Sequence, residues 1–412
     1  MPPKDDPRRV AVRDWIAANP KPTDADIAAA GWNVPHWPAP YGIDADPMHQ
    51  LIIAEEFAAA DIRMPLNLIG IGWAAPVIYL YGNDEQRETY LPGIFSDDDR
   101  WCQLFSEPDS GSDLASLSTR AVRDGDEYVI TGSKIWSSGA HESSYGILLA
   151  RTDPDVPKHK GISYFIYPMD TPGTTLTPVV DMTTAHSFNQ VFFDEARIPA
   201  SMLVGDEGDG WRLAKATLAN ERVGLSSGGA IWGQGPTKDD LLNLVRANGP
   251  VTDPLERERI ARLHINAEVL RLNQLRTLSA QLAGKTPGPE ASIQKIMADE
   301  LGQEIMTLAK DLQGPAGMLE GSGPAGTIPR TRQTGATEVN FARGSESQYP
   351  DVDPIWHYGF VFSPALTIGG GTFAIQRNIV AEHVLGLPRE PNVEQGKTWT
   401  ESRGGTRENG SH

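Results

Sequence analysis

The stretch TIGGGTFAIQRNIVAEHVLGLPRE, Thr367 to Glu390, sets three glycines at the mouth of a predicted helix. Backbone N–H groups at such a helix start favour an anion or a polarised carbonyl. A phosphate loop of the Walker or Rossmann kind needs a preceding strand, and the Walker form also needs Gly-Lys-Ser/Thr. IGGGTFAIQ has no such lysine and follows helical sequence, so it is neither. Thr372 suits the N-cap, Ile375, Ile379 and Val380 mark a buried stripe, and Gly386 then Pro388 stop the helix. A second stretch, FSEPDSGSDLASLSTRAV (Phe105 to Val122), combines small hydroxyl donors with a glycine that allows close backbone approach. Two further places carry chemistry only in context. Trp136 in ITGSKIWSSGA is by itself an ordinary half-buried strand aromatic, and Glu221-Arg222 in LANERVGL is by itself a helix-surface ion pair. His141, His264, His357 and His383 show no paired metal-ligand spacing, so no metal site is expected. No Gly-x-Ser-x-Gly elbow is present, which argues against a serine hydrolase.

The elements that must hold these residues fall into blocks. The first hundred residues read as helical: HQLIIAEEFAAADI has helical apolar spacing, and NDEQRETYLPGIF opens with an Asn cap and breaks at Pro92. From about Trp101 to Leu203 short β-rich runs alternate with turn residues: EYVITGSKIWSS, YGILLAR, GISYFIYPM, TLTPVV and NQVFFDEARI. Asp124-Gly125 and Thr131-Gly132 fit hairpin turns, so this block is a barrel or a sandwich. After Gly210 helices return. DPLERERIARLHINAEVLRLNQLRTLSAQLAG carries Ile260, Leu263, Ile265, Val269, Leu270, Leu272 and Leu275 at helical intervals, and ASIQKIMADELGQEIMTLAKDLQG follows. Glu320 to Pro354 is polar, without periodicity, and reads as a long loop over a site. The blocks are 1–100 helical, 101–205 β, 206–390 helical bundle and 391–412 flexible tail, an α+β chain without internal repeats.

Composition bounds the partners. A formal charge of −18 over 412 residues repels a phosphate backbone, so nucleic acid is not expected. No run of about 18 apolar residues occurs, so no membrane span is expected. MPPKDDPRRVAVRDW has no apolar core region and does not read as a secretion signal. Cys102 is the only cysteine, which excludes an intrachain disulfide framework and makes a reducing cytoplasm the expected compartment.

The block order, with four motifs in the right sequence, resembles the acyl-CoA dehydrogenase family over most of the chain. The motifs are FSEPDSGSDLASLSTRAV, ITGSKIWSSGA, GDEGDGWRLAKATLANERV and the glycine stretch. The resemblance implies a helical N-terminal domain, a middle β-barrel and a C-terminal four-helix bundle, with FAD as cofactor. It implies that Phe105, Ser106, Gly111 and Ser112 contact flavin or substrate, and that Trp136 and Ser138 stack against and hydrogen-bond the isoalloxazine. Thr372 matches the family's flavin-contacting threonine. In most relatives the residue aligned with Gly370 is a glutamate, the base that takes the α-proton of the acyl thioester. That side chain is missing here. Some branches carry the base on the bundle helix in a Glu-Arg pair, and Glu221-Arg222 matches that position, with Arg222 beside the substrate. The thioester oxygen is then held by the flavin ribityl hydroxyl and the Gly370 N–H, which stabilise the developing enolate. Burial by the acyl chain moves the carboxylate towards a better base. A bare residue 370 also leaves room beside the α-carbon, which points to a bulky, branched or ring-bearing acyl group.

The chain also departs from the family. The Arg-x-x-Phe-Gly motif that reaches a neighbour's flavin is replaced by LVRANGPVTDP, where Arg246 stands without Phe-Gly. LQGPAG carries Pro315, and Phe373 and Ala374 replace small and polar residues. The expected function is FAD-dependent acyl-CoA dehydrogenation in lipid metabolism, of fatty acids or steroid side chains, with an electron-transferring flavoprotein as acceptor. The expected assembly is a homo-oligomer (dimer or tetramer) or a heterotetramer with a sister subunit. Alternatives are a non-catalytic or half-site partner subunit, and a flavin oxidase or monooxygenase on the same fold.

Overall fold

The computed structural model describes residues 3–62, 67–225, 229–232, 235–247, 249–282, 288–318 and 354–407. Residues 320–353 of the expected loop lie outside these. Helices α1 (Pro7–Ala18), α2 (Asp24–Ala29), α3 (Pro47–Ala59), α4 (Ala75–Tyr81) and α5 (Asp84–Phe95) come first. Strands follow: β1 (Trp101–Leu104), β2 (Arg120–Asp124), β3 (Glu127–Ser138), β4 (Tyr145–Arg151), β5 (Ile162–Pro168), β6 (Thr174–Val179), β7 (Phe188–Pro199) and β8 (Leu203–Val204). Then come α6 (Gly210–Leu225), α7 (Lys238–Ala247), α8 (Pro254–Leu282), α9 (Ala291–Leu312), α10 (Pro354–Phe362), α11 (Phe373–Ile379) and α12 (Trp399–Arg407). The helical, β, helical order is the one the sequence predicts. No helix among the described residues is long and apolar enough to cross a membrane.

The chain forms two compact units, Met1–Leu66 with Arg222–Pro388, and Asn67–Glu221 with Arg389–His412. The second unit holds one eight-stranded sheet in the order β6-β7-β3-β2-β4-β5-β8, with β1 parallel to β4. Side chains from β1, β2, β3, β4, β5 and β7 share one core, including Cys102, Ile130, Leu148, Phe165, Val191 and Ile198. A sheet whose distant strands meet in one core must roll over on itself. Asp124-Gly125 turns the β2–β3 hairpin, as expected. Gly132 does not turn: it lies inside β3 at a register shift against β7. A Cβ there would come within 2.7 Å of the Thr119 Cα, so close strand approach is what requires the glycine. Pro92 does not end α5 either. Only one turn follows it, and that turn is held by fully buried Ile94 and Phe95.

The end of the chain also differs from the expected flexible tail. Trp399 donates its backbone N–H to Val156 O (2.9 Å), and its indole lies 4.5 Å from the Arg151 guanidinium. Lys158 bridges Asp113 and Glu394 at 2.9 and 2.6 Å. These contacts fasten α12 and the segment before it to β4 and the loop that follows β4, a link between distant sequence positions that local periodicity cannot announce.

In the first unit, α1, α2 and α3 bury Val12, Ile27, Ile52, Ile53 and Phe57 around Trp32. α8 is apolar on two faces. Leu263, Ala267 and Leu270 are buried, while Ile265, Val269, Leu272 and Leu275 are exposed. α9 is the most buried long helix, and its inward face carries two charged residues, Lys295 and Asp299.

Candidate functional site

The sheet presents its candidate residues along β3 and the segment beside it. Ile135 donates its N–H to Ser106 O (2.9 Å), so residues 105–107 run alongside β3. Behind them Lys134, fully buried, donates to Phe105 O (3.0 Å) and to Glu107 (2.8 Å). Glu107 also accepts from the N–H groups of Ser118 (2.6 Å) and Thr119 (2.9 Å). Burial works against charge on both partners. The facing ammonium and the N–H groups outweigh it at Glu107 and hold its carboxyl below the usual carboxylate range. Burial wins at Lys134, whose pKa lies below the usual lysine range. This ion pair ties the hydroxyl-rich loop to the strand.

In front of it, a bulge between Lys134 and Ser137 turns Trp136 out of the sheet. Its φ is +63°, in the left-handed region, and its side chain is 56% exposed, braced edge-on by Phe188. A large aromatic held in a strained backbone and left open is the pattern of a surface prepared for a ligand. Ser138, two residues on, is exposed, and Ser106, in the segment alongside β3, is half-buried. Gly111 and Ser112 are exposed, and a Cβ at Gly111 would touch no protein atom, so packing within the chain does not explain that glycine. The Phe105 ring is core, edge-on to Tyr164, which leaves only its backbone for a ligand.

α6 starts where Gly210 meets β5: a Cβ there would come within 2.7 Å of the Ser163 Cα. Its inward stripe is Leu213, Ala214, Thr217 and Glu221, at helical spacing. Thr217 shares a hydrogen bond with the Tyr164 hydroxyl (3.2 Å). One turn on, Glu221 is only 6% exposed, with the Gln103 amide donating to its Oε2 at 3.4 Å. A surface ion pair would face outward, and Glu221 does not. The Arg222 side chain lies outside the described residues. Gln103 was not foreseen, although an amide inside the apolar run WCQLF was the signal for it.

The glycine turn belongs to the first unit. Gly370 and Gly371 have φ of +67° and +89°, which side chains rarely adopt. A Cβ on Gly369 would meet the Trp232 ring at 2.4 Å. Thr372 caps α11 by accepting from the Ile375 N–H (3.4 Å), as expected. The stripe expected on Ile375, Ile379 and Val380 is only half-buried, and the fully buried residue is Gln376. Its Nε2 donates to Gly370 O (2.9 Å).

Comparison with known proteins bears on the fold and the family. The N-terminal, middle and C-terminal domain models of acyl-CoA dehydrogenases match residues 8–98, 102–196 and 208–385. The acyl-CoA dehydrogenase FadE34 of Mycobacterium tuberculosis is 37% identical over 92% of this chain, which spans about half (48%) of that relative's length. The ChsE4–ChsE5 complex from Mycobacterium tuberculosis is 31% identical, with a TM-score of 0.72 over 95% of this chain and 99% of the matched one. The Tcur3481–Tcur3483 steroid ACAD is 28% identical, with a TM-score of 0.71 over 93% and 97%.

Proposed function

This chain belongs to the acyl-CoA dehydrogenase family, and from that premise we propose that it catalyses FAD-dependent α,β-dehydrogenation of an acyl-CoA thioester with Glu221 as the base. The observation that carries the assignment is the burial of Glu221 on the inward face of α6, beside Gln103. A carboxylate placed there is largely removed from water, which is what a general base acting on one bound substrate requires. The Cα–H bond breaks with its proton passing to a Glu221 oxygen, and its electron pair becomes the new Cα=Cβ bond as the β-hydride leaves. The Gly370 N–H donates to the thioester oxygen while negative charge gathers there.

FAD, when bound, supplies the two-electron acceptor for that hydride. The residues of the sheet fit its ring end: Trp136 offers an open flat surface, Ser106 and Ser138 offer hydroxyls beside it, and Gly111 leaves space that the protein does not fill. Gly111, Ser112 and the Phe105 backbone are proposed contacts at the same end, Thr372 is a proposed contact from the α11 cap, and Arg222 is proposed beside the substrate. An electron-transferring flavoprotein is the proposed onward acceptor.

The proposed substrate class is a bulky, ring-bearing acyl group. Gly370 brings no side chain to the α-carbon, and one solved relative is described as a steroid ACAD. The proposed assembly is with a second subunit, identical or a sister. The outward apolar face of α8 (Ile265, Val269, Leu272, Leu275) supports it, as do the two-component names of both solved relatives. A sister subunit would also supply the adenosine-binding motif that this chain lacks near Arg246. A cytoplasmic setting is proposed from the single, buried cysteine.

The test is the visible spectrum of the protein, alone and with added FAD, before and after butyryl-, isobutyryl-, octanoyl- and cyclohexanecarbonyl-CoA. Bleaching of a flavin band by a thioester supports the reading. Flavin that binds and is bleached by none of them, in the chain alone and with any co-purifying partner, overturns it.

A further inference from the structure

The glycine turn is gripped by a lysine that no surface role explains. Lys295 is fully buried on α9, and an ammonium has three donors. All three are used: Asp299 Oδ2 at 2.6 Å, Leu366 O at 3.1 Å and Gly369 O at 3.1 Å. Asp299, one turn on and 2% exposed, accepts from the ammonium and balances its charge when ionised. A buried ion pair is a poor source of stability, because desolvating both ions costs several kcal/mol each. Apolar residues of the same volume would pack α9 as well. What they would not do is hold two carbonyls of the turn.

The consequence follows from peptide geometry. In a trans peptide the C=O of one residue and the N–H of the next point in opposite directions. Lys295 draws Gly369 O inward, so the Gly370 N–H is directed away from the buried pair. Gln376, fully buried, applies the same logic to the next peptide: it draws in Gly370 O at 2.9 Å and so sends the Gly371 N–H outward. Trp232 closes the third side, against Gly369. Among the described residues no acceptor takes the Gly370 or Gly371 N–H.

We propose that Lys295, seconded by Gln376, is the positioning residue that aims the Gly370 N–H as an oxyanion donor. This rests on the reading of the turn given under Proposed function. Two positive-φ glycines form the most pliable backbone a chain can have, and aiming a donor from it needs an external clamp. Displacing such a donor by about 1 Å is worth roughly a hundredfold in rate, and losing it about a hundred- to thousandfold.

The test uses the flavin-loaded protein, with any co-purifying partner, and compares the parent with Lys295→Met/Asp299→Leu, which leaves no buried charge unpaired, and with Gln376→Leu. Using the thioester of the above panel that turns over fastest, kcat is expected to fall at least tenfold in the lysine variant and several-fold in the glutamine variant, with KM changed less than threefold. The infrared band of the bound, 13C-labelled thioester carbonyl should move towards its free-solution position. Hydrogen exchange at Ile368 and Gly369, whose N–H groups both bond Ala365 O at 3.0 Å, should quicken. Unchanged kcat and carbonyl band in a folded lysine variant would overturn the inference and leave the dehydrogenase reading intact. If no thioester reacts with the parent, the dehydrogenase reading fails instead. Hydrogen exchange then decides the clamp alone: faster exchange upholds it and unchanged exchange overturns it.

Discussion

Replacing Glu221 by glutamine separates the proposed chemistry from the packing around it. The substitution keeps volume and shape at a site that is 6% exposed. The glutamine carbonyl can still accept from Gln103, whose contact at 3.4 Å is already long for a hydrogen bond. Weakening that bond costs about 1 kcal/mol, a shift of about 2–4 °C in the melting temperature. The chemical cost is of another order. A positioned general base is worth about a hundred- to ten-thousandfold, or roughly 3–5 kcal/mol at about 1.4 kcal/mol per tenfold. The two effects differ enough to be read independently. Anaerobic stopped-flow bleaching of the flavin by the best thioester gives the rate, and exchange of its α-hydrogen with D2O reports the proton step alone. Both should fall together, by at least a hundredfold, in a protein whose melting point has barely moved. A Glu221→Gln protein within about threefold of the parent in both assays refutes the assignment. Loss of bleaching with α-exchange intact refutes it equally, since the proton would then be leaving to another group.

Three further outcomes are expected. Lys134→Met strands the buried Glu107 carboxylate and should cost about 3–5 kcal/mol in urea unfolding, with part restored in Lys134→Met/Glu107→Gln. Trp136→Gly relieves a side chain at φ +63°, worth about 1 kcal/mol, so the urea midpoint should hold or rise while flavin retention after gel filtration falls about tenfold. Burial raises the Asp299 carboxyl to about 7, against which Lys295 acts only in part. The folded chain therefore keeps a proton that the unfolded chain has released above its usual value near 4, so this group favours folding most below that pH and progressively less up to about 7. Asp299→Asn should flatten that decline in melting temperature between pH 4 and 7, and an unchanged slope would exclude Asp299 as its source.

The block order was legible because helical and strand periodicities survive in single stretches: α3, α8 and α9, and β3 through β7, lie where their spacing puts them. Short or locally contradicted elements were not. β1 has four residues, too few to show a strand period, yet it brings in Gln103. Pro92 and Gly132 look like breakers and sit inside elements, because burial of Ile94 and Phe95 and the approach of Thr119 decide there. The family motifs named Trp136, Ser138, Glu221 and Gly370, but their spacing cannot say which face each takes. Least legible were Lys134, Lys295 and Gln376. A lysine in a sequence reads as solvated until its acceptors are known, and two of the three of Lys295 lie about seventy residues along the chain.

The clasp of α12 on Arg151 has a meaning for the chain while it is being made. Every strand of the sheet has been synthesised by Val204, but the indole that covers the Arg151 guanidinium is residue 399. At about 5–20 residues per second, the sheet waits on the order of 10–40 s for its last piece. Through that interval Arg151 can already hold Leu117 O (3.1 Å) and Ala115 O (2.7 Å), but its outer face is wet. A nascent chain stalled after the helical bundle thus differs at this surface from one extended past α12. Chains cut short before α12 would carry all eight strands with the Arg151 guanidinium left open to water on that side.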